Sequence, residues 1–234
     1  MMSSPSHAHT GALTTETLLM RYAAGVLPPY ESMLMAAYLT VSEDARQRMA
    51  SFEAAGGRMI ENVEPVSVTQ TCLNNILAMT QPQQRPCDET KGPCPDALQD
   101  SDCTIPKLLR KLVDAHCPQQ KLDWEHVTPG IAKIDITLCR SEPRSRRLRL
   151  LRLAPHQTTP THYHFGTEIT LVLEGGYSDE TGHYRRGDMV IVTDPALHHS
   201  PRAMDSGCTC LTLTEAPLRF DNMFVQLFNI FRRI

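Results

Sequence analysis

Five of the ten histidines lie between Thr161 and Pro201, in the passage THYHFGTEITLVLEGGYSDETGHYRRGDMVIVTDPALHHSP. They are His162, His164, His183, His198 and His199, with Glu168 among them. The passage alternates apolar and polar residues as a strand does. On a strand, side chains two apart point to the same side, so His162 and His164 share a face. Glu168 has the same parity, and a regular strand would aim all three groups at one point. Two imidazoles and a carboxylate suit a divalent first-row metal such as Zn, Mn, Fe, Ni or Cu. A fourth ligand would come from a neighbouring strand, and the His198-His199 pair in HHSP supplies it. A lone strand histidine is more often a partly exposed residue than a ligand, but four donors at these spacings make chance a poor account. His156 and His183 lie near turns and are expected to be exposed.

Such a cluster needs a sheet to hold it. From about residue 122 the chain reads as short strands: GIAKIDITLCR, RRLRLLRLA, TEITLVLEGGYSDE, GHYRRGDMVIVTD and CTCLTLTEAPLRF, punctuated by Gly, Asp and Pro. Several short strands at regular spacing predict an antiparallel barrel or jelly roll. Arg147, Arg149 and Arg152 alternate with leucines, which predicts a solvated strand face and no nucleic-acid patch. Residues 14 to 56 instead read as helices: one capped by Thr15 and ended by Gly25 and Pro28-Pro29, one from Pro29 to Leu39, and one capped by Ser42 that ends at Gly56-Gly57. VSVTQTCLNNILAMT predicts a fourth. Residues 81 to 120, rich in Pro, Gln and Asp, predict a linker with one amphipathic helix, IPKLLRKLVDAHC, inside it.

The bulk numbers exclude several classes. The chain has 234 residues, 41% hydrophobic and 21% charged, as in a globular protein. A net charge of −3 makes no case for direct nucleic-acid binding. No apolar run approaches the roughly 18 residues of a membrane span. MMSSPSHAHTGALTTE lacks a basic start and an apolar core, so a cytoplasmic location with mostly reduced cysteines is expected.

HYHFGTEITLVLEGGYSDETGHYRRGD resembles the two cupin motifs: His-x-His, a Glu four residues on, then a Gly-Asp opening the second motif. More narrowly, GTEITLVLEGGYSDE, CTCLTLTEAPLRF and the ending LFNIFRRI resemble the ChrR family of cupin anti-sigma factors. LLMRYAAGVLPPYESMLMAAYL resembles the start of that family's helical domain. The resemblance covers nearly the whole chain outside 81–120. It implies a two-domain α+β protein: a small helical bundle over 1–80, a linker or mobile segment over 81–120, and a cupin metal-binding domain over 121–234. It implies a regulator, not an enzyme, whose helices bind an extracytoplasmic-function sigma factor and whose cupin domain senses a stress signal. It implies one divalent metal, zinc, on His162, His164, Glu168 and a histidine of HHSP. The family's His-x-Pro pattern picks His199, whereas counting from Gly187 picks His198; His199 is preferred, because the DPAL turn absorbs an extra residue most easily. A homodimer is compatible with free sheet edges.

The chain departs from the family in the helical domain. A second zinc site there is written His-x-x-x-Cys-x-x-Cys, and the matching positions are Tyr38, Ser42 and Ala45. None can act as thiolate or imidazole, so no zinc is expected in the helices, and Ser42 is left to cap one. His7 and His9 read as tail residues and Tyr22 as helix packing. Cys87, Cys94, Cys103 and Cys117 have no zinc spacing and read as reduced thiols, with a redox-sensing pair as the sharper option. Cys208 and Cys210 share a strand face and suit a small apolar core position. The alternative function is a cupin metalloenzyme, dioxygenase-like, with an open metal position for a small molecule.

Overall fold

The computed structural model describes residues 13–80, 107–116, 122–137 and 145–221. Helices come first: α1 Thr15–Ala23, α2 Pro29–Val41, α3 Glu43–Glu61, α4 Gln70–Thr80 and α5 Lys107–His116. The strands are β1 Glu125–Thr128, β2 Ile131–Ile136, β3 Arg147–Leu153, β4 His162–Tyr163, β5 Glu168–Asp179, β6 Gly182–Arg185, β7 Met189–Val192, β8 Arg202–Thr214 and β9 Arg219–Phe220.

The helix boundaries follow local chemistry, with two corrections. The cap of α1 is Thr14, whose side chain accepts a hydrogen bond from the Thr17 amide at 3.2 Å, one residue before the expected Thr15. Gly25, at φ 68°, ends the turn after α1, and Pro29 opens α2 with its preset φ. Ser42 caps α3 as expected, its hydroxyl accepting from the Ala45 amide at 3.2 Å. The helix then runs through Gly56 and Gly57 to Glu61, where the sequence predicted a stop. Neither glycine takes a left-handed φ. Glycine weakens a helix by about 1 kcal/mol but lacks the clash and the missing donor that make proline a stop. Thr69 starts α4, accepting from the Cys72 amide at 3.3 Å. The helix expected inside 81–120 is α5, which buries Leu109 and Val113; Cys87, Cys94, Cys103 and Cys117 lie outside the described residues, as do His7 and His9.

The main sheet is antiparallel in the order β1-β2-β3-β8-β5-β6, with β7 also paired to β5. A small sheet of β4 and β9 closes one end. The central strands are covered on both faces. One set of side chains, including Ile134, Leu148, Leu150, Ile169, Leu171, Leu211 and Leu213, joins Leu18, Leu19, Leu34 and Met35 of the helices in one hydrophobic cluster. A Glu31–Arg146 ion pair spans the same junction. The opposite set faces the barrel interior and lines a cavity of about 400 Å³. Where β5 and β8 bend, Gly175 at φ 66° comes so near Gly207 that a Cβ would lie 2.0 Å from the Gly207 carbonyl oxygen. The register shifts at the same place.

The arginines of β3 correct the sequence reading. Arg149 is buried, on the interior face with Leu151 and Leu153, while Leu148 and Leu150 lie under the helices. With both faces covered, no solvated face is left for it. Its Nε donates to Asp135 at 2.6 Å. Arg152 sits over the Trp124 ring at 3.9 Å. The positions matching the second zinc site are built for packing: Tyr38 and Ala45 are buried and Ser42 is the cap.

A core shared by helices and sheet should unfold as one unit. Leu150→Ala, at a fully buried site in the shared cluster, should cost ~2–5 kcal/mol. Far-ultraviolet helix signal and near-ultraviolet Trp124 signal should be lost together on denaturation. Two separated transitions would show that the halves are independent.

Candidate metal centre

The histidines are positioned by a narrow backbone pairing. His162 and His199 form an isolated antiparallel bridge, each amide donating to the other's carbonyl at 3.0 Å. Their side chains therefore leave the same face of the pair. His164 follows β4, and Glu168 opens β5. The donors do not lie on one regular strand as the sequence predicted: the chain turns at Phe165-Gly166, between the small sheet and the large one, and Glu168 arrives from the second. Convergence survives because the end of the barrel brings the two sheets together.

The ring nitrogens of His162, His164 and His199 lie within 4.8 Å of one another, and all three residues are buried. His164 Nε2 is 3.0 Å from His199 Nε2 and 3.3 Å from Glu168 Oε2. His162 Nδ1 donates to the Pro160 carbonyl at 2.8 Å, which leaves its Nε2 as a lone pair. His199 Nδ1 donates to Asp179 Oδ2 at 3.1 Å, which does the same for its Nε2. Buried nitrogens that face each other this way suit a shared cation, since ligands ~2.0–2.1 Å from a zinc-sized ion stand about 3 Å apart. His164 Nδ1 is buried with no partner. The residues present thus fit a divalent metal: three buried histidines can hold one, with a carboxylate beside them.

Electrostatics agree. Burial pushes the His162 imidazole down to about 4, against the opposing pull of Glu168. Burial, with the neighbouring His199, also takes His164 to about 4. Both rings are neutral near pH 7, the form that binds metals. The Glu168 carboxylate is held by the Thr170 hydroxyl, which donates to Oε1 at 3.2 Å. Asp179 is itself buried at the end of β5. Burial alone would raise its carboxyl, but bonds from Thr181 and His199 hold it below the usual range.

The pair His198-His199 is divided by strand alternation. His199 turns into the cluster, and His198 turns out, stacked on Tyr163 and bonded to Asp221 at 2.9 Å. His156 and His183 are exposed as expected. Cys208 and Cys210 are buried on the interior face with sulfurs 3.6 Å apart, and the contact with Cys208 together with burial keeps Cys210 a thiol. Sequence reasoning missed Asp179, because a lone Asp before a turn normally serves the turn. This one does both, since its Oδ1 also accepts from the Thr181 amide at 2.8 Å.

A small helical layer packed on a double-sided antiparallel barrel, with histidines gathered at the barrel's end, defines a cupin protein with an added helical module. The ChrR cupin-like domain family matches residues 113–217. The anti-sigma-E factor ChrR of Cereibacter sphaeroides is 32% identical over 224 residues, covering 94% of this chain and 97% of that protein. The crystal structure of Rhodobacter sphaeroides SigE in complex with the anti-sigma ChrR matches at a TM-score of 0.61 and 27% identity, over 86% of this chain and 97% of that one. The chain belongs to the ChrR family.

Asp179→Asn keeps the shape but removes the charge that fixes the His199 tautomer. It should lower metal affinity ~10–100-fold in a competitive chelator titration. Unchanged affinity would show that Asp179 serves the turn alone.

Proposed function

We propose that the chain is an anti-sigma factor. Residues 1–80 hold an extracytoplasmic-function sigma factor in the cytoplasm, and residues 121–234 report a stress signal from one divalent metal, zinc, bound by His162, His164, Glu168 and His199. The relatives support this reading by name: one is an anti-sigma-E factor, and a similar solved chain was crystallised with SigE.

The observation that carries the reading is the exposed apolar face of α4, with further exposed apolar side chains at the end of α3. No residue of α4 is buried. Leu73, Ile76 and Leu77 are 38%, 50% and 53% exposed, at the i, i+3, i+4 spacing of one helix face. Met59, Ile60 and Val63, at and just past the end of α3, are exposed as well. A helix of 11 residues that buries nothing is marginal alone. An apolar surface of this kind marks a protein interface. No helix among the described residues is long and apolar enough to cross a membrane. The helical layer needs no zinc for this role, because Tyr38, Ser42 and Ala45 brace α2 and α3 by packing and capping.

A cavity beside the centre also suits a cupin metalloenzyme, so the decisive test is partner capture. Deleting 1–80 would uncover the sheet, so surface substitutions are used. Leu73→Asp, Ile76→Asp and Leu77→Asp together should reduce capture of the host's sigma factors more than tenfold, by about 1.4 kcal/mol per factor of ten, with an unchanged circular dichroism spectrum. Undiminished capture would move the interface elsewhere, and no capture by the unaltered chain would favour the enzyme. His162→Ala with His164→Ala should leave the purified protein without stoichiometric zinc by elemental analysis; full metal content would overturn the ligand assignment.

A further inference from the structure

The barrel cavity has two chemically unlike parts. One is the histidine and Glu168 end. The other is a pair of buried cations on the facing strands, Lys133 of β2 and Arg149 of β3, both lining the cavity. Their side chains are 4% and 9% exposed. The walls between are largely apolar: Ile131, Leu151, Leu153, Leu218 and Phe220.

Buried cations are costly unless something pairs them. Asp135 pairs with both. Its Oδ1 accepts from Arg149 Nε at 2.6 Å and its Oδ2 from Lys133 Nζ at 3.0 Å. Glu125 Oε2 stands 3.5 Å from the same Nζ. Yet these carboxylates are 43% and 57% exposed. The counter-ions sit at the rim, screened by water, while the cations sit deeper. An ammonium has three donors, and these two carboxylates take at most two of them. Lys133 and Arg149 line the cavity and these two carboxylates do not, so cationic groups stand on an otherwise greasy wall. A site for hydrocarbon alone has no use for two buried cations, and a site for sugars or phosphates would not be walled by leucine and phenylalanine.

We infer that this cavity binds a small, carbon-rich monocarboxylate, its carboxylate on Lys133 and Arg149 and its apolar body along Leu151, Leu153 and Phe220. Resting on the reading of the cupin half as a sensor, this names the ligand class to which it answers. The volume of about 400 Å³ lies in the range of small-molecule sites. A charged acceptor meeting two cations away from water gives stronger, shorter hydrogen bonds than a neutral one.

The test is calorimetric titration of the full, zinc-loaded chain with octanoate and with octan-1-ol, repeated after metal removal with a chelator. Octanoate should bind at least tenfold tighter than octanol. Lys133→Met and Arg149→Met should each weaken octanoate tenfold or more and leave octanol unchanged. Both should fold, because the Asp135 they leave behind is half in water; the comparison of acid with alcohol needs no variant in any case. Octanoate binding should survive metal removal. Equal binding of acid and alcohol, or no binding of either, overturns the inference. So does octanoate binding that vanishes with the metal but ignores Lys133→Met and Arg149→Met, since the metal would then be the acceptor. Sigma-factor capture by the ligand-free chain separates the two proposals. Capture without octanoate binding removes this inference alone, and octanoate binding without capture removes the anti-sigma reading alone.

Discussion

Strand alternation in a sheet with no solvent face is the constraint on which the rest depends. β3, β8 and β5 pair in register, so each row of residues across them faces one way: Leu150, Leu211 and Leu171 toward the helices, Arg149, Thr212 and Thr170 into the barrel. The two rows ask for opposite chemistry. The outer row must be apolar and tightly packed, because it completes a core with α1, α2 and α5. The inner row is bounded by a cavity, where threonine, thiol and charge are tolerated as long as each polar group is answered. A one-residue slip would exchange the rows, burying Arg149 under helices and turning leucines toward the histidine cluster. Register therefore specifies core and site together.

Much of this was legible from residue types. The histidine spacing pointed to a metal cluster in a barrel, and the structure brings His162, His164, Glu168 and His199 together. Ser42 announced its cap, and the gap left by the helical zinc ligands was visible in Tyr38, Ser42 and Ala45. What sequence reasoning lost were effects set by the other side of the sheet. Arg149 looked solvated because alternation tells which residues share a face and is silent on what covers it. The adjacent leucines Leu150 and Leu151 were the available clue, since they put leucine on both faces at once. Glu168 shares parity with His162, but its place at the centre comes from a turn between two sheets, which periodicity cannot describe. Gly56 and Gly57 looked like a stop because glycine ends helices by adopting a left-handed φ, and here neither does.

The histidine cluster is an instance of pre-arranged tautomers. Two different acceptors set two of the three rings, the Pro160 carbonyl on His162 and Asp179 on His199, while His164 Nδ1 has none. Two rings are thereby fixed with Nε2 inward before any ion arrives. The carboxylate on His199 also raises its basicity as a ligand. The third ring is held by packing, against His162 at a 5.1 Å centroid distance and His199 at 5.3 Å. The arrangement asks little reorganisation of the protein on binding, because the cost of burying neutral imidazoles is already met by folding.

The same two-sided sheet links the histidine end to the helices. Glu168, beside the histidines, and Ile169, in the helix-facing core, are successive residues of β5. Thr167, on the other side of Glu168, donates its amide to Glu215 at 2.9 Å. That carboxylate and Arg146, the partner of Glu31 in α2, line one small pocket at the junction. Any displacement of the Glu168 backbone is thus passed within one peptide unit to a residue on which the helical layer rests. Close packing resists gradual deformation, so such a displacement would be taken up by the groups least tightly bound at the junction. Those groups include Glu31, whose Oε2 is buried without a partner while its other oxygen holds Arg146. A half-satisfied carboxylate thus stands between helices and barrel, beside the pocket that Thr167 and Ile169 also line.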